Sequence, residues 1–382
     1  MKNRFLYFVI IVFLCLSCNQ VQQATDAITQ PSAREVYARS FDKADSLYLK
    51  WNTAFAKAYK DTSKYPLEEI KLELPHTTVG QFSELNLQPL SYTFKLSQGE
   101  ILIAEVSTEV DSNLVFLDLF EWENDSLIGQ QILKSSQRDE KALKFEVKKT
   151  ANYVLLLHPE LEASSSFSLK IYSQPQYQFP VSNKGNKAVQ SFWGDSRGGG
   201  KRSHKGIDIF ASRGTPVIAS TNGIVTSTGE RGLGGKQVWI RDGFFGQSLY
   251  YAHLDSIIAR SGQRVKIGDT LGLVVNTGNA RTTPPHLHFG IYNRSGAVNP
   301  YPFVKHQQIP KINDSLNSSF GIIKNLANLR LQPNSKGLKI AQLNKNDSVQ
   351  VVEKSSNWLR VSTQDSFNGY IYKTSIKLIS SN

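Results

Sequence analysis

Five residues in the third quarter of the chain carry side chains that bind metals or move protons. They are His204 and Asp208 in Ser-His-Lys-Gly-Ile-Asp, His253 in Tyr-Tyr-Ala-His, and His286 with His288 in His-Leu-His. Four of the seven histidines fall in this stretch. Zinc favours imidazole and carboxylate ligands, and a catalytic zinc keeps one position open for water. Two histidines and one aspartate would supply three protein ligands and leave two histidines for chemistry.

The spacing says how such residues could meet. His204, Gly206 and Asp208 have one parity, as do His286 and His288, and alternate side chains of an extended chain share a face. Ile207, Ile209, Leu287 and Phe289 then point into an apolar layer, and two neighbouring strands aim four ligand-type side chains at one place. A helix would also join His204 to Asp208 at i, i+4, but Gly206 and the β-branched flanks favour a strand. Taken singly the motifs are weak: His-x-x-x-Asp is common by chance, and His253 alone reads as a core histidine. Their order and surroundings carry the joint reading.

At this point the sequence resembles a known family. Residues 189–303 are similar to the lysostaphin-type zinc endopeptidases, which cleave peptide bridges of bacterial cell-wall peptidoglycan. The resemblance runs through Ser203-His204-Lys205-Gly206-Ile207-Asp208, Gly214-Thr215-Pro216-Val217, Asn222-Gly223-Ile224-Val225 and Tyr250-Tyr251-Ala252-His253-Leu254. It continues through Val265-Lys266-Ile267-Gly268-Asp269, Thr277-Gly278-Asn279 and Pro285-His286-Leu287-His288-Phe289. It implies a zinc held by His204, Asp208 and His288, with His253 and His286 acting on water or on the substrate oxyanion. One position departs: the family often has Glu after His-Leu-His-Phe, where Gly290 stands here.

Zinc polarises a scissile carbonyl and makes water a usable nucleophile near neutral pH, and a tetrahedral intermediate needs donors where its oxygen becomes negative. No His-Glu-x-x-His stretch occurs, so no glutamate base is evident. His253 and His286 are the candidates for proton transfer, since an unperturbed imidazole titrates near ~6.5. The sequence does not say which is base and which stabilises the oxyanion.

These residues need elements to position them, and the chain is expected to be mainly β. The expected order is a signal peptide at 1–17, a tether and amphipathic helix at 18–64, a β-sandwich accessory domain at 65–175, an antiparallel β zinc endopeptidase domain at 176–310, and a small C-terminal β-barrel at 311–382. Lys2 and Arg4 precede an apolar run from Phe5 to Leu16, shorter than the roughly 20 residues that span a bilayer and matching a secretory signal. Ser17-Cys18 resembles a lipoprotein signal-peptidase site, which implies that Cys18 is lipidated; Cys15 and Leu16 depart from the usual pattern there. Cys15 and Cys18 are the only cysteines, so cleavage before Cys18 leaves none to pair with it, and stability rests on the cores.

Ser32 and Glu35 have capping-box spacing, and Tyr37, Phe41, Ala44, Tyr48, Trp51, Phe55 and Tyr59 recur at helical steps of three or four, which predicts one helix with an apolar face. Strands are expected at 92–96, 101–107, 114–121, 143–147, 153–157 and 167–172, a spacing that suits an antiparallel sandwich. His76 and His158 stand apart from the zinc cluster and read as structural or exposed. Residues 174–186, rich in Pro, Gln and Ser, read as a linker. The last segment resembles a bacterial Src-homology-like barrel through Ala327-Asn328-Leu329-Arg330, Trp358-Leu359-Arg360-Val361 and Gly369-Tyr370-Ile371. In secreted wall enzymes such modules often bind wall peptides.

The chain carries a formal charge of +12 and a pI near 9.4, unevenly placed. Residues 1–182 hold 18 Lys+Arg against 22 Asp+Glu, residues 183–300 hold 15 against 6, and residues 319–382 hold 9 against 3. Basic surface draws polyanions, but no nucleic-acid motif appears. Peptidoglycan carboxylates and membrane phospholipid are the nearer anions for an exported chain. The expected function is a zinc-dependent endopeptidase acting on peptidoglycan cross-links, exported and anchored to a membrane through its N-terminal lipid, facing the periplasm or cell wall. The competing expectation is a catalytically silent wall-binding activator of a peptidoglycan amidase, which should have lost ligand positions that are all filled here.

Overall fold

Ser32 caps a helix in the computed structural model of the chain, which describes residues 25–62, 70–83, 88–122, 131–137, 140–243, 246–363 and 368–379. The expected signal peptide at 1–17 and Cys18 lie outside the described residues. Ser32 Oγ accepts from the Glu35 backbone N–H at 3.2 Å while Glu35 Oε2 accepts from the Ser32 N–H at 2.7 Å, which closes the expected capping box. The single helix is corrected to two, Ala33–Ala38 and Ser46–Thr62. Acids between them offer the backbone other partners: Asp42 Oδ1 accepts from Ala44 N–H, and Asp45 Oδ1 from Leu47 and Tyr48 N–H. The aromatic face survives the break, with Tyr37, Trp51 and Phe116 packed ring on ring. His158 is fully buried, stacked on Trp51 at 4.6 Å, and Arg34 pairs with buried Asp118 at 2.7 Å. These groups fasten the helices to the sheet behind them.

That sheet runs Lys71–Leu72, Leu90–Leu96, Ala151–Pro159, Val115–Trp122, Lys134–Ser135. Tyr92, Phe94, Leu117 and Leu155 on it share one core with Leu102, Ala104, Leu169 and Ile171 of a second layer, built from His76–Gln81, Ser166–Pro175, Glu100–Thr108 and Ala142–Glu146. The six expected strands form. His76–Gln81 was not expected, because His-Thr-Thr-Val-Gly-Gln lacks apolar alternation; His76 itself is buried.

This unexpected strand is also the joint to the C-terminal barrel. It pairs on one side with Ser166–Pro175 and on the other with Ser348–Ser355, Val79 opposite Lys354 and Gly80 opposite Glu353. The second sandwich layer and the C-terminal strands are therefore one eleven-stranded sheet. Glu353 has no exposed surface at this seam. Its carboxylate accepts from Tyr92 Oη at 2.6 Å, Tyr370 Oη at 3.2 Å and Thr78 Oγ1 at 3.2 Å, and faces Arg360 Nη1 at 3.4 Å.

The third sheet holds ten strands and the candidate site. Its main path is Val189–Ser191, Ile207–Phe210, His286–Asn293, Ser248–Ile257, Gly235–Asp242, Gly223–Arg231, Arg264–Val265. Ile207, Ile209, Leu287, Phe289, Tyr251 and Ile240 fill its apolar side, as the parity of the motifs required. The linker reading of 174–186 is corrected. Tyr177 and Val181 are buried in this core, Tyr177 N–H donates to the Phe303 carbonyl, and Tyr177 Oη donates to Asp242 Oδ2 at 2.7 Å.

Candidate metal centre

Asp208 and His288 face each other on neighbouring strands, in register, with Ala252 next on the same rung. His204 lies just before the strand that carries Asp208 rather than on it, which corrects the expectation that both share one strand. It is held there by its backbone: its N–H donates to the Asp195 carbonyl at 2.8 Å, and its carbonyl accepts from Gly194 N–H at 3.0 Å. Gly206 lets the turn pass under the imidazole of His288, since a Cβ at 206 would lie 2.6 Å from His288 Cε1.

Three donor atoms converge. His204 Nε2 lies 3.1 Å from Asp208 Oδ1 and 3.0 Å from His288 Nδ1, and His288 Nδ1 lies 3.0 Å from Asp208 Oδ1. The Nδ1 of His204 faces the Phe192 carbonyl at 2.9 Å. A proton there leaves the Nε2 lone pair turned towards the carboxylate. Atoms so close need a proton or a metal cation between them, and two nitrogens with one oxygen suit zinc. His204, Asp208 and His288 could thus hold a metal ion.

The electrostatics favour the ligand forms. Burial alone would raise the Asp208 carboxyl, but hydrogen bonds and charge from His204 and His288 outweigh it and hold the group well below the usual carboxylate range. Burial lowers the His288 imidazole, with Asp208 opposing. Arg197 adds a guanidinium on the far side, its Nη2 2.6 Å from Asp208 Oδ2.

His253 and His286 stand beside the three, without joining them. The His286 Nε2 is 4.0 Å from Asp208 Oδ1, and its Nδ1 faces the Pro284 carbonyl at 2.8 Å. The His253 ring centroid is 5.2 Å from that of His286 and 5.8 Å from that of His288, with Nδ1 on the Thr277 carbonyl at 2.9 Å. In each case the backbone carbonyl takes the Nδ1 proton and leaves Nε2 unprotonated. Burial, reinforced by His288 and His286, holds His253 down to about 4.

His253 reaches this place only by breaking the alternation of its strand. Tyr251 points into the core and Ala252 to the site side, so regular geometry would send His253 back into the core. Its φ is 64°, and the register with Gly235–Asp242 shifts between Lys236 and Val238. This bulge turns the imidazole onto the site face.

Sequence reasoning missed the roles of Arg197, Ser191 and Thr277, which contact Asp208, His204 and His253. No spacing signal marks them, because each acts across a turn. A recess of about 560 Å³ lies elsewhere, on the C-terminal strands, bounded by Leu326, Arg330, Trp358 and Tyr372.

Residues 202–300 match peptidase family M23, and residues 324–377 match the bacterial SH3 domain. An L-Ala–D-Glu endopeptidase of Bacillus subtilis is 36% identical over 142 residues, 34% of this chain and 43% of that protein. The peptidoglycan DD-endopeptidase ShyA of Vibrio cholerae is 38% identical over 96 residues, 25% of this chain and 22% of that protein. The chain thus spans less than half the length of these two curated relatives. The solved catalytic domain of lysostaphin from Staphylococcus simulans is 31% identical, with a TM-score of 0.28, covering 30% of this chain and 89% of that one. The residues around His204, Asp208, His253, His286 and His288 therefore belong to peptidase family M23, and the C-terminal strands to the bacterial SH3 domains.

Proposed function

We propose that this chain is a zinc-dependent endopeptidase that cleaves peptide cross-links of bacterial peptidoglycan. The observation that carries the reading is the convergence of His204 Nε2, Asp208 Oδ1 and His288 Nδ1, with two further imidazoles beside them. When bound, zinc supplies Lewis acidity for the scissile carbonyl and for the attacking water. The protein's own part is to move protons. Peptide hydrolysis takes one proton from water and gives one to the leaving amine, and His253 and His286 each keep an unprotonated Nε2 for these transfers. His253, held down to about 4, is neutral at working pH, with its Nε2 lone pair available. Whichever imidazole is protonated also faces the developing oxyanion.

The matched relatives named as peptidoglycan endopeptidases support the substrate class, and the net basic charge of residues 183–300 suits a substrate bearing carboxylates. The apolar run before Ser17-Cys18 supports export and a lipid anchor on Cys18. A silent activator of an amidase would have no use for a complete ligand set. The test is purified protein incubated with intact sacculi, with and without chelator, and the released fragments identified by mass. Chelator-sensitive release of peptide-cleaved fragments is expected; release of glycan pieces alone, or none with zinc supplied, overturns the proposal.

A further inference from the structure

Arg197 stands where the ligand set meets the loop before it. It lies on a short hairpin, Ser196–Arg197 paired with Arg202–Ser203. One guanidinium nitrogen, Nη2, is 2.6 Å from Asp208 Oδ2, 2.5 Å from Ser191 Oγ and 3.0 Å from His204 Nδ1. Ser191 Oγ in turn donates to Asp195 Oδ2 at 2.7 Å, and Asp195 Oδ2 accepts from Phe192 N–H at 2.8 Å. The arginine is thus braced from behind, and the side chain keeps about a third of its surface exposed (35%).

The two oxygens of Asp208 consequently have different surroundings. Oδ1 faces the nitrogens of His204 and His288, while Oδ2 is occupied by the guanidinium. A carboxylate with both oxygens free can bind a metal through either or both, and a second oxygen would fill the place that a catalytic zinc keeps for water. A charge-assisted bond to Oδ2 prevents that. We infer that Arg197 is a positioning residue that restricts Asp208 to ligation through Oδ1 and so reserves the open place on the metal. It also draws electron density from the carboxylate, which leaves a bound metal the stronger Lewis acid.

This inference rests on the zinc reading above, and its test uses metal binding rather than cleavage. Metal-free full-length protein, its Arg197→Met variant and its Arg197→Gln variant are titrated with cobalt(II) and with zinc against a competing chelator. Gln is neutral and polar, and it serves if Met impairs folding; melting of the metal-free proteins checks this. Four-coordinate cobalt absorbs strongly in the visible, and added ligands weaken the bands. Wild type should give strong bands and the variants weaker, shifted ones, with zinc affinity changed by about 10- to 100-fold, as for other groups that orient ligands. A folded variant with the wild-type cobalt spectrum and wild-type zinc affinity overturns the inference, whatever happens to cleavage. Wild-type protein that takes up neither metal overturns the zinc reading itself.

Discussion

Replacing Gly206 with Ala adds one methyl group where the structure has no room for it. An ideal Cβ at 206 would lie 2.6 Å from His288 Cε1, 2.6 Å from the Phe289 carbonyl oxygen and 2.8 Å from His288 Nε2. Ordinary contact begins near 3.4 Å, so something must move by about 0.8 Å. The Phe289 carbonyl belongs to a central strand, and Phe289 and Leu287 on it are buried. The ring of His288 can turn, but the carbonyl contact is relieved only if the backbone beside it shifts as well, and either movement displaces the Nδ1 that faces Asp208 and His204. A shift of that size moves a donor atom by a large fraction of a ligand bond. Misplacement of about 1 Å costs on the order of 10²-fold in rate, and overpacking of this kind costs about 1–3 kcal/mol in stability. Gly206→Ala should therefore fold with a lowered melting temperature, bind zinc more weakly and cleave sacculi about 10²-fold more slowly. Zinc affinity by chelator competition and fragment release from the same preparation decide it. A Gly206→Ala protein with wild-type zinc affinity and rate would show that His288 is not a ligand held at this distance.

The histidines of His-Leu-His should fail differently: His288→Ala should lose bound zinc, whereas His286→Ala should keep it and lose about 10²–10⁴-fold in turnover, read as metal stoichiometry beside cleavage. If His286→Ala loses zinc and His288→Ala keeps it, the two roles are reversed. Buried His76 has its imidazole pushed below the usual value by burial, with Glu353 opposing and Arg360 adding to the fall. The unfolded chain then binds the extra proton below ~6.5, so the stabilising contribution is full above that pH and is lost as pH falls towards the folded value. His76→Gln should flatten the decline in melting temperature between pH 7 and 5, and an unchanged slope would assign it to other groups. Cys18→Ser should move the protein from the membrane fraction to the soluble exported fraction, because lipid supplies ~0.8 kcal/mol per buried methylene; a variant that still sediments with membranes refutes the anchor.

Local chemistry was legible in the sequence wherever the period of the chain survived into the structure. The parity of Ile207, Ile209, Leu287 and Phe289 placed an apolar layer behind Asp208 and His288, and that layer is the core of the ten-stranded sheet. The capping box at Ser32 and the six strands of the sandwich were legible for the same reason. What was hidden depends on broken periods and distant partners. His253 meets the site through a left-handed residue in a bulge, and nothing in Tyr-Tyr-Ala-His announces that conformation. The acids Asp42 and Asp45 divide a helix whose aromatic spacing runs on across the gap. Tyr177 and Val181 sit in a Pro- and Gln-rich stretch yet are buried, since composition records average polarity and not which side chain finds a core.

The seam at Glu353 changes what the C-terminal strands can do. A module tied by a flexible linker raises the local concentration of its neighbour near a shared target, within the reach that the linker allows. Here Ser348–Ser355 is hydrogen-bonded to His76–Gln81 in one continuous sheet. A carboxylate without exposed surface is tolerable only while its partners stay in place. Tyr92 and Thr78 come from one side of the seam, and Tyr370 and Arg360 from the other, so rotating the barrel away would strand the Glu353 charge. The chain also returns from the ten-stranded sheet beside the strand by which it entered: Gln307 Nε2 donates to Glu100 Oε1 at 2.9 Å and to Ser173 Oγ at 2.8 Å. Both crossings into the sheet that carries the candidate site are thus fixed to the same layer that carries the barrel. The recess bounded by Trp358 and Tyr372 and the cluster at His204, Asp208 and His288 are consequently borne on one braced frame, and any target that engages both must match their spacing.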